Sequence, residues 1–246
     1  MLVNDALSSY LVPRWVLLVV RILFAAFSLM IMIWKLCIDK LEYFRYLTTI
    51  SWTGITIYFI MMSIVSIVYR DADLKTKFPR GLALTIQFLF STTQTLAMIV
   101  LTIFWALLQY ILESTSDRTL LFLIMTPHIA NLVMMQIELW LTKIKLPLLS
   151  IGFTLLSIFL YTLWVWLAKY GFDIDFPYRF FANLMDIRKT PGMSIAWVIA
   201  FLAIFTIMSL IIWAESLIRD RLMRMLVGEN EYNSSSESNV VEKNMV

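Results

Sequence analysis

The single histidine of this chain, His128, is the residue type best suited to take up and return a proton near neutral pH. It stands in a long apolar stretch with Asn131 and Glu138. At about 100° of rotation per helical residue, the three side chains share one stripe of a helix. Polar groups inside a membrane are costly where they face lipid, so this stripe should face protein. Acid–base chemistry and a structural hydrogen bond both remain open for His128.

Hydroxyl groups open another apolar stretch, at Thr48, Thr49, Ser51 and Thr53. A hydroxyl becomes a competent nucleophile when a neighbouring base removes its proton. Serine and threonine in membrane helices also bond to the preceding turn or to a neighbouring helix. Residue type alone therefore leaves catalysis and packing as alternatives for these side chains.

A third polar group comprises Gln87 and residues 91–95. Such groups need partners or water in mid-membrane. These residues could line a cavity, but their prediction as partners in hydrogen bonds between helices is favoured.

The elements that must position these residues are long apolar blocks. The chain is 61% hydrophobic and 15% charged, whereas a soluble domain is about one-quarter charged. Blocks of about 20 apolar residues are long enough to cross a hydrocarbon layer roughly 30 Å thick. The sequence therefore predicts an all-α, polytopic membrane helix bundle. Its six spans are expected at residues 15–37, 46–69, 81–112, 120–142, 148–168 and 193–214. The third exceeds the layer thickness and should tilt, kink or project into water.

The bundle is predicted to occupy residues 1–225, followed by a disordered polar tail at residues 226–246. A small excess of Lys and Arg on one side places both termini in the cytoplasm by the positive-inside rule. A cytoplasmic tail would leave the acceptor motif at Asn233 unglycosylated. We expect the endoplasmic reticulum or another endomembrane in preference to the plasma membrane.

Several classes of function find no support in the sequence. The net charge of +3 is too small to indicate nucleic-acid binding. The lone cysteine, Cys37, excludes an intrachain disulfide and a cysteine-based metal cluster. The chain has no pair of histidines for zinc, no phosphate-cradling glycine loop and no Gly-x-Ser-x-Gly elbow. We expect no metal and no cofactor, and membrane lipids as partners.

Three short motifs stand out together: Arg45-Tyr46-Leu47-Thr48, His128 followed by Glu138, and Gly171 with Phe176-Pro177-Tyr178. Their combination resembles the androgen-induced family, which includes the androgen-dependent regulator of tissue factor pathway inhibitor. The resemblance extends over residues 15–217 and implies a six-helix membrane protein. Some members of that family are threonine hydrolases that cleave fatty acid esters of hydroxy fatty acids.

The resemblance implies Thr48 as the nucleophile and His128 as its base. Thr49, Asn131 and Glu138 are candidates for the substrate pocket, and Asn131 or Thr49 could stabilise an oxyanion. At about 1.5 Å per residue from the predicted span starts, His128 lies roughly 12 Å deep and Thr48 roughly 3 Å. A tilt, a kink or different helix boundaries must close this gap of about 9 Å.

Two other functions remain alternatives. The polar interior could bind or transport a sterol, lipid or ion without breaking bonds. The chain could also be a membrane scaffold that acts through helix packing or through its tail.

Overall fold

A computed structural model of the chain describes residues 1–73, 75–108, 117–177 and 186–227. The α-helices of these ranges are α1 (Val3–Leu7), α2 (Arg14–Asp39), α3 (Leu47–Val68), α4 (Arg80–Ile103), α5 (Arg118–Leu141), α6 (Ile151–Phe172) and α7 (Pro191–Val227). A 3₁₀ helix at Lys40–Arg45 joins α2 to α3, and another at Leu148–Ser150 precedes α6. A π-helical segment, Phe104–Leu108, continues α4.

Helices α2 to α7 are each long and apolar enough to cross a membrane. Their outer faces leave large apolar side chains uncovered, among them Leu23, Ile57, Leu160 and Ile207. Such extensive apolar surface is rare on a water-soluble monomer. The chain is therefore an all-α, multi-pass integral membrane protein, which confirms the predicted fold class.

The last helix is longer than predicted. The sequence placed its apolar span at residues 193–214, but α7 runs through 37 residues, Pro191–Val227. The span was predicted to end at residue 214 because the apolar run is interrupted there by charged residues, Glu215, Arg219 and Asp220. The Arg219 guanidinium is fully buried and donates to the carbonyl oxygens of Leu139 and Ile144 at 2.7 and 2.9 Å. These bonds hold the charged turns in the bundle, so the helix continues past them.

Helix α7 continues to Val227, two residues past the predicted border between bundle and tail at residue 225. The rest of the predicted tail, residues 228–246, lies outside the described residues. So do the end of the predicted third span, residues 109–112, and Tyr178 of the third motif.

The first helix, α1, was not predicted, because five residues are too few for a periodic signal. Val3 and Ala6 are fully buried, and a backbone bridge joins Leu2 to Lys77. Further along, the Tyr10 hydroxyl lies 3.5 Å from the Asp220 carboxylate of α7. The N-terminal segment and the end of α7 therefore share one end of the bundle, here called the terminal end. The other end, which holds the 3₁₀ helix Lys40–Arg45, is called the opposite end.

Helices α3 and α5 both begin at the opposite end and run towards the terminal end, whereas α2 runs against them. The Trp52 indole of α3 donates to the Ser28 carbonyl of α2 at 2.9 Å. Ile55 and Phe59 of α3 and Met135 of α5 belong to one buried core. This packing sets the relative heights of the polar side chains on the three helices.

Candidate active site

Thr48 and His128 meet across the interface of α3 and α5. The Thr48 Oγ1 atom lies 3.2 Å from His128 Nε2. Both side chains are almost buried, at 8% and 9% exposure. Thr48 is the second residue of α3, and His128 lies in the middle of α5. The structure thus brings together the two residues that the sequence singled out, while their catalytic roles stay a prediction.

The second ring nitrogen of His128 determines how the ring can act. Nδ1 lies 2.6 Å from the carbonyl oxygen of Ile124, one turn earlier in α5. A carbonyl oxygen only accepts hydrogen bonds, so Nδ1 carries the ring proton in the neutral imidazole. Nε2 is then the acceptor, and the Thr48 hydroxyl donates to it. This is the polarity that a general base requires.

An aromatic ring covers one face of the imidazole. The Phe104 and His128 ring centroids are 4.0 Å apart, with 32° between the ring planes. Phe104 is the first residue of the π-helical segment. Short π-helical turns occur frequently at functional sites. The contact fixes the ring plane of His128 in addition to its two hydrogen bonds.

The predicted difference in depth of about 9 Å between Thr48 and His128 is wrong. The prediction assumed that the second and fourth spans start at the same level. Helix α5 begins at Arg118, about 15 Å before His128 along its axis, whereas Thr48 is one residue from the start of α3. The first turns of α5 therefore extend beyond α3 at the opposite end.

Two further pairs continue the contact between α3 and α5. The Asn131 amide donates to the Ser51 hydroxyl at 3.0 Å. The Tyr58 hydroxyl donates to the Glu138 carboxylate at 2.8 Å. Each of the three polar pairs joins residues 80 positions apart. The two helices therefore run parallel in constant register, and we call these contacts the α3–α5 seam.

Asn131 lies one helical turn from His128 and is fully buried. Its amide nitrogen is committed to Ser51, while its Oδ1 atom accepts no hydrogen bond from the described residues. The structure therefore places this predicted pocket residue next to the Thr48–His128 pair.

Glu138 is not brought to the pair. It lies ten residues beyond His128, about 15 Å along α5. Its carboxylate forms a fully buried ion pair with Arg21, with Nη2 to Oε1 at 2.6 Å. Arg21 also donates to the Ala6 carbonyl oxygen at 2.8 Å. Glu138 thus joins α2, α3 and α5 and holds α1 against them.

Thr49 is directed elsewhere as well. Its hydroxyl donates to the carbonyl oxygens of Tyr43 and Tyr46. The side chain therefore fastens the start of α3 to the preceding 3₁₀ helix. Its expected place in the substrate pocket is not what the structure shows, because one residue of rotation turns it away from Thr48.

The polar cluster of α4 makes hydrogen bonds between helices, as the sequence favoured. The Gln94 amide donates to the Met135 carbonyl oxygen at 2.6 Å. The Thr95 and Ser209 hydroxyls lie 3.3 Å apart, which joins α4 to α7. These bonds fix the packing around the seam.

The start of α3 supplies hydrogen-bond donors that the sequence analysis did not assign. Its N-cap residue, Tyr46, makes no side-chain cap. The first N–H groups of a helix have no acceptor within the helix, and they favour negative charge nearby. The N–H groups of Leu47 and Thr48 are therefore available beside the Thr48 hydroxyl. A tyrosine at the N-cap position does not cap a helix with its side chain, so Tyr46 was the sequence signal for these N–H donors.

Together the fold and the site define a multi-pass membrane protein with a threonine–histidine pair held between two parallel helices. Comparison with family models, with curated proteins and with solved structures found no match to this chain. Within the described ranges, no three His, Cys, Asp or Glu side chains are grouped as a metal ion would require.

Proposed function

We propose that this protein is a multi-pass membrane hydrolase of acyl-lipid esters. Thr48 is its nucleophile and His128 its general base. Fatty acid esters of hydroxy fatty acids are the proposed substrates, by resemblance to the androgen-induced family. We also propose membership of that family and a location in the endoplasmic reticulum or another endomembrane.

One observation carries this proposal: the hydrogen bond between Thr48 Oγ1 and His128 Nε2 at 3.2 Å, with Nδ1 held by the Ile124 carbonyl oxygen at 2.6 Å. One ring nitrogen is held as a donor, and the other accepts from a hydroxyl, a group that can attack an ester once a base removes its proton. The Ile124 carbonyl takes the orienting role that a carboxylate has in a serine-type triad.

The first half of the reaction forms an acyl-enzyme. The Thr48 hydroxyl proton moves to His128 Nε2 as Oγ1 attacks the ester carbonyl carbon. The tetrahedral oxyanion lies beside the N–H groups at the start of α3, which donate to it. The C–O bond to the alcohol then breaks, and the departing alkoxide takes the proton from Nε2. The products are the free alcohol and an acyl ester on Thr48.

The second half releases the fatty acid. A water molecule gives its proton to His128 Nε2 and attacks the acyl carbon. The bond to Thr48 Oγ1 breaks, and the proton returns from Nε2 to Oγ1. One water is consumed, one ester is cleaved, and Thr48 and His128 regain their starting states.

The test compares ester hydrolysis by purified protein in detergent or nanodiscs with that of Thr48→Ala and His128→Ala. Each change should lower turnover by about a thousandfold, within the range expected for loss of a nucleophile or its base. Ser51→Ala is the matched control. Ser51 is a buried hydroxyl on the same helix, one turn away, that also bonds across to α5. Its turnover should stay within about threefold of wild type.

Unchanged turnover in both Thr48→Ala and His128→Ala would remove the assignment. Saturable binding or flux of a lipid without product would favour a binding or transport protein. A loss of function on tail deletion, with both point variants unaffected, would favour a scaffold.

A further inference from the structure

A lysine of the first membrane-spanning helix lies between the height of the Thr48–His128 pair and the opposite end of the bundle. Lys35 belongs to α2, and its side chain is only 17% exposed. Lys35 is four residues from the end of α2, yet most of its side chain is buried. A partly buried charge is costly unless it is paired, and Lys35 is paired with Asp39 at 2.7 Å.

Two contacts fix the height of Lys35 relative to α5. Arg21 of α2 is paired with Glu138, and the Trp34 and Phe122 rings lie 6.3 Å apart. Because the helices are antiparallel, these contacts place Lys35 level with about residues 121–124 of α5, roughly 6–10 Å nearer the opposite end than His128.

The contact with α3 gives the same height. Trp52 bonds to the Ser28 carbonyl oxygen, which sets α3 against α2. By this register Thr48 lies level with residue 32 of α2, so Lys35 is about one turn, roughly 5 Å, nearer the opposite end.

The ammonium group of Lys35 has capacity for a further acceptor. It carries three N–H donors, and Asp39 accepts from one of them. An ester cleaved at Thr48 leaves a carboxylate beside His128, and the two seam contacts nearest to that point, Thr48–His128 and Ser51–Asn131, join neutral side chains. A carboxylate moving outward from Thr48 meets Lys35 within one helical turn.

We propose that Lys35 binds the carboxylate of the fatty acid product, so that fatty acids inhibit the enzyme through this residue. The inference rests on the proposed function, since it takes the product to be released between Thr48 and His128.

The kinetic test measures hydrolysis of a neutral long-chain ester in the presence of oleate or oleyl alcohol. Oleate should inhibit wild type at lower concentration than the alcohol does. Lys35→Gln should raise the inhibition constant of oleate about tenfold and leave that of oleyl alcohol unchanged. Lys35→Arg should retain inhibition by oleate.

Lys169→Gln is the matched control. Lys169 is also within one turn of the end of its helix at the opposite end, is 24% exposed and pairs with an aspartate four residues on. Its substitution should leave both inhibition constants unchanged. Equal inhibition of wild type and Lys35→Gln by oleate would overturn the proposal, and so would an equal effect of Lys169→Gln.

A binding measurement separates this inference from the proposed function. Quenching of tryptophan fluorescence by brominated stearic acid, compared with its methyl ester, needs no turnover, and Trp34 is adjacent to Lys35. If wild type binds the acid more tightly than the methyl ester, and Lys35→Gln loses this preference, the carboxylate site is supported even if no ester is hydrolysed. Hydrolysis that depends on Thr48, without such a preference, sinks the inference and leaves the proposed function standing.

Discussion

The ion pair of Arg21 and Glu138 is fully buried between three helices. Arg21 also bonds to the Ser66 hydroxyl at 3.1 Å, and Tyr58 donates to Glu138. A buried charge that loses its partner keeps the full cost of its removal from water. This pair should therefore matter for stability and not for the chemistry at Thr48.

We predict that Glu138→Leu lowers the free energy of unfolding by about 3–5 kcal/mol, because it leaves Arg21 charged and unpaired. Replacing both residues, Arg21→Met with Glu138→Leu, should recover most of that loss. Unfolding in mixed micelles measures both effects. The interpretation fails if the double variant is less stable than the single one.

At the scale of single residues, the sequence identified the pair but not every role around it. Residue type and the helical stripe singled out His128, whereas Thr48 was separated from the neighbouring hydroxyls only by what the family resemblance implies. The ring tautomer depends on the Ile124 carbonyl oxygen, which no pattern of side chains reveals. Thr49 was a candidate for the substrate pocket. About 100° of rotation directs it to the preceding 3₁₀ helix instead.

At the scale of helices, the α3–α5 seam has a sequence signature. Thr48, Ser51 and Tyr58 follow one another at intervals of three and seven, and His128, Asn131 and Glu138 repeat the same intervals. Such spacing keeps side chains on one face of a helix in coiled-coil-like packing. Two polar stripes with matching intervals could thus have predicted the parallel register. The partner of Glu138 on α2 could not be predicted in this way, because the predicted first span holds two cations, Arg21 and Lys35, and no spacing shows which of them meets Glu138.

The register predicts a specific cross-link. Ile55 and Met135 are 80 positions apart, like the polar pairs, and both are fully buried. In a Cys37→Ala background, Ile55→Cys with Met135→Cys should cross-link under mild oxidation. Ile57→Cys with Met135→Cys should not, since Ile57 is 51% exposed on the outer face. Electrophoretic mobility without reductant reports the result. A stronger cross-link for the Ile57 pair would contradict the register.

The positions where the helices end depend on contacts that a hydropathy profile does not show. α7 continues past its apolar window because Glu215 accepts from the Trp140 indole at 3.0 Å and Arg219 bonds to two backbone carbonyls. The six spans themselves were predictable, since crossing a hydrocarbon layer demands apolar length.

At the scale of the whole molecule, the contact between Tyr10 and Asp220 places the N-terminal segment and α7 at one end of the bundle. The six spans of the described residues agree with this, because an even number of crossings returns the chain to the side on which it began. The opposite end holds the start of α3, and Thr48 is the second residue of that helix. The Thr48–His128 pair therefore lies nearer to the membrane face that is away from the N-terminal segment.

Labelling in sealed vesicles tests this arrangement. With Cys37→Ala as background, single cysteines at Asp71 and Arg221 should react together with a membrane-impermeant maleimide. Cysteines at Lys40 and Asp175 should react together from the other side of the membrane. All four positions are exposed, the first two at the terminal end and the last two at the opposite end. Both termini in the cytoplasm would make the first group accessible from the cytoplasmic side. Mixed labelling within either group would rule out the arrangement.

The most direct measurement of the central claim is the mass of the protein trapped during turnover of a palmitoyl ester. Proteolysis and mass spectrometry of acid-quenched wild type should find a palmitoyl group on Thr48. Thr48→Ala should carry none, while Ser51→Ala should carry it on Thr48. A palmitoyl group on another residue, or hydrolysis that proceeds unchanged in Thr48→Ala, would contradict the account.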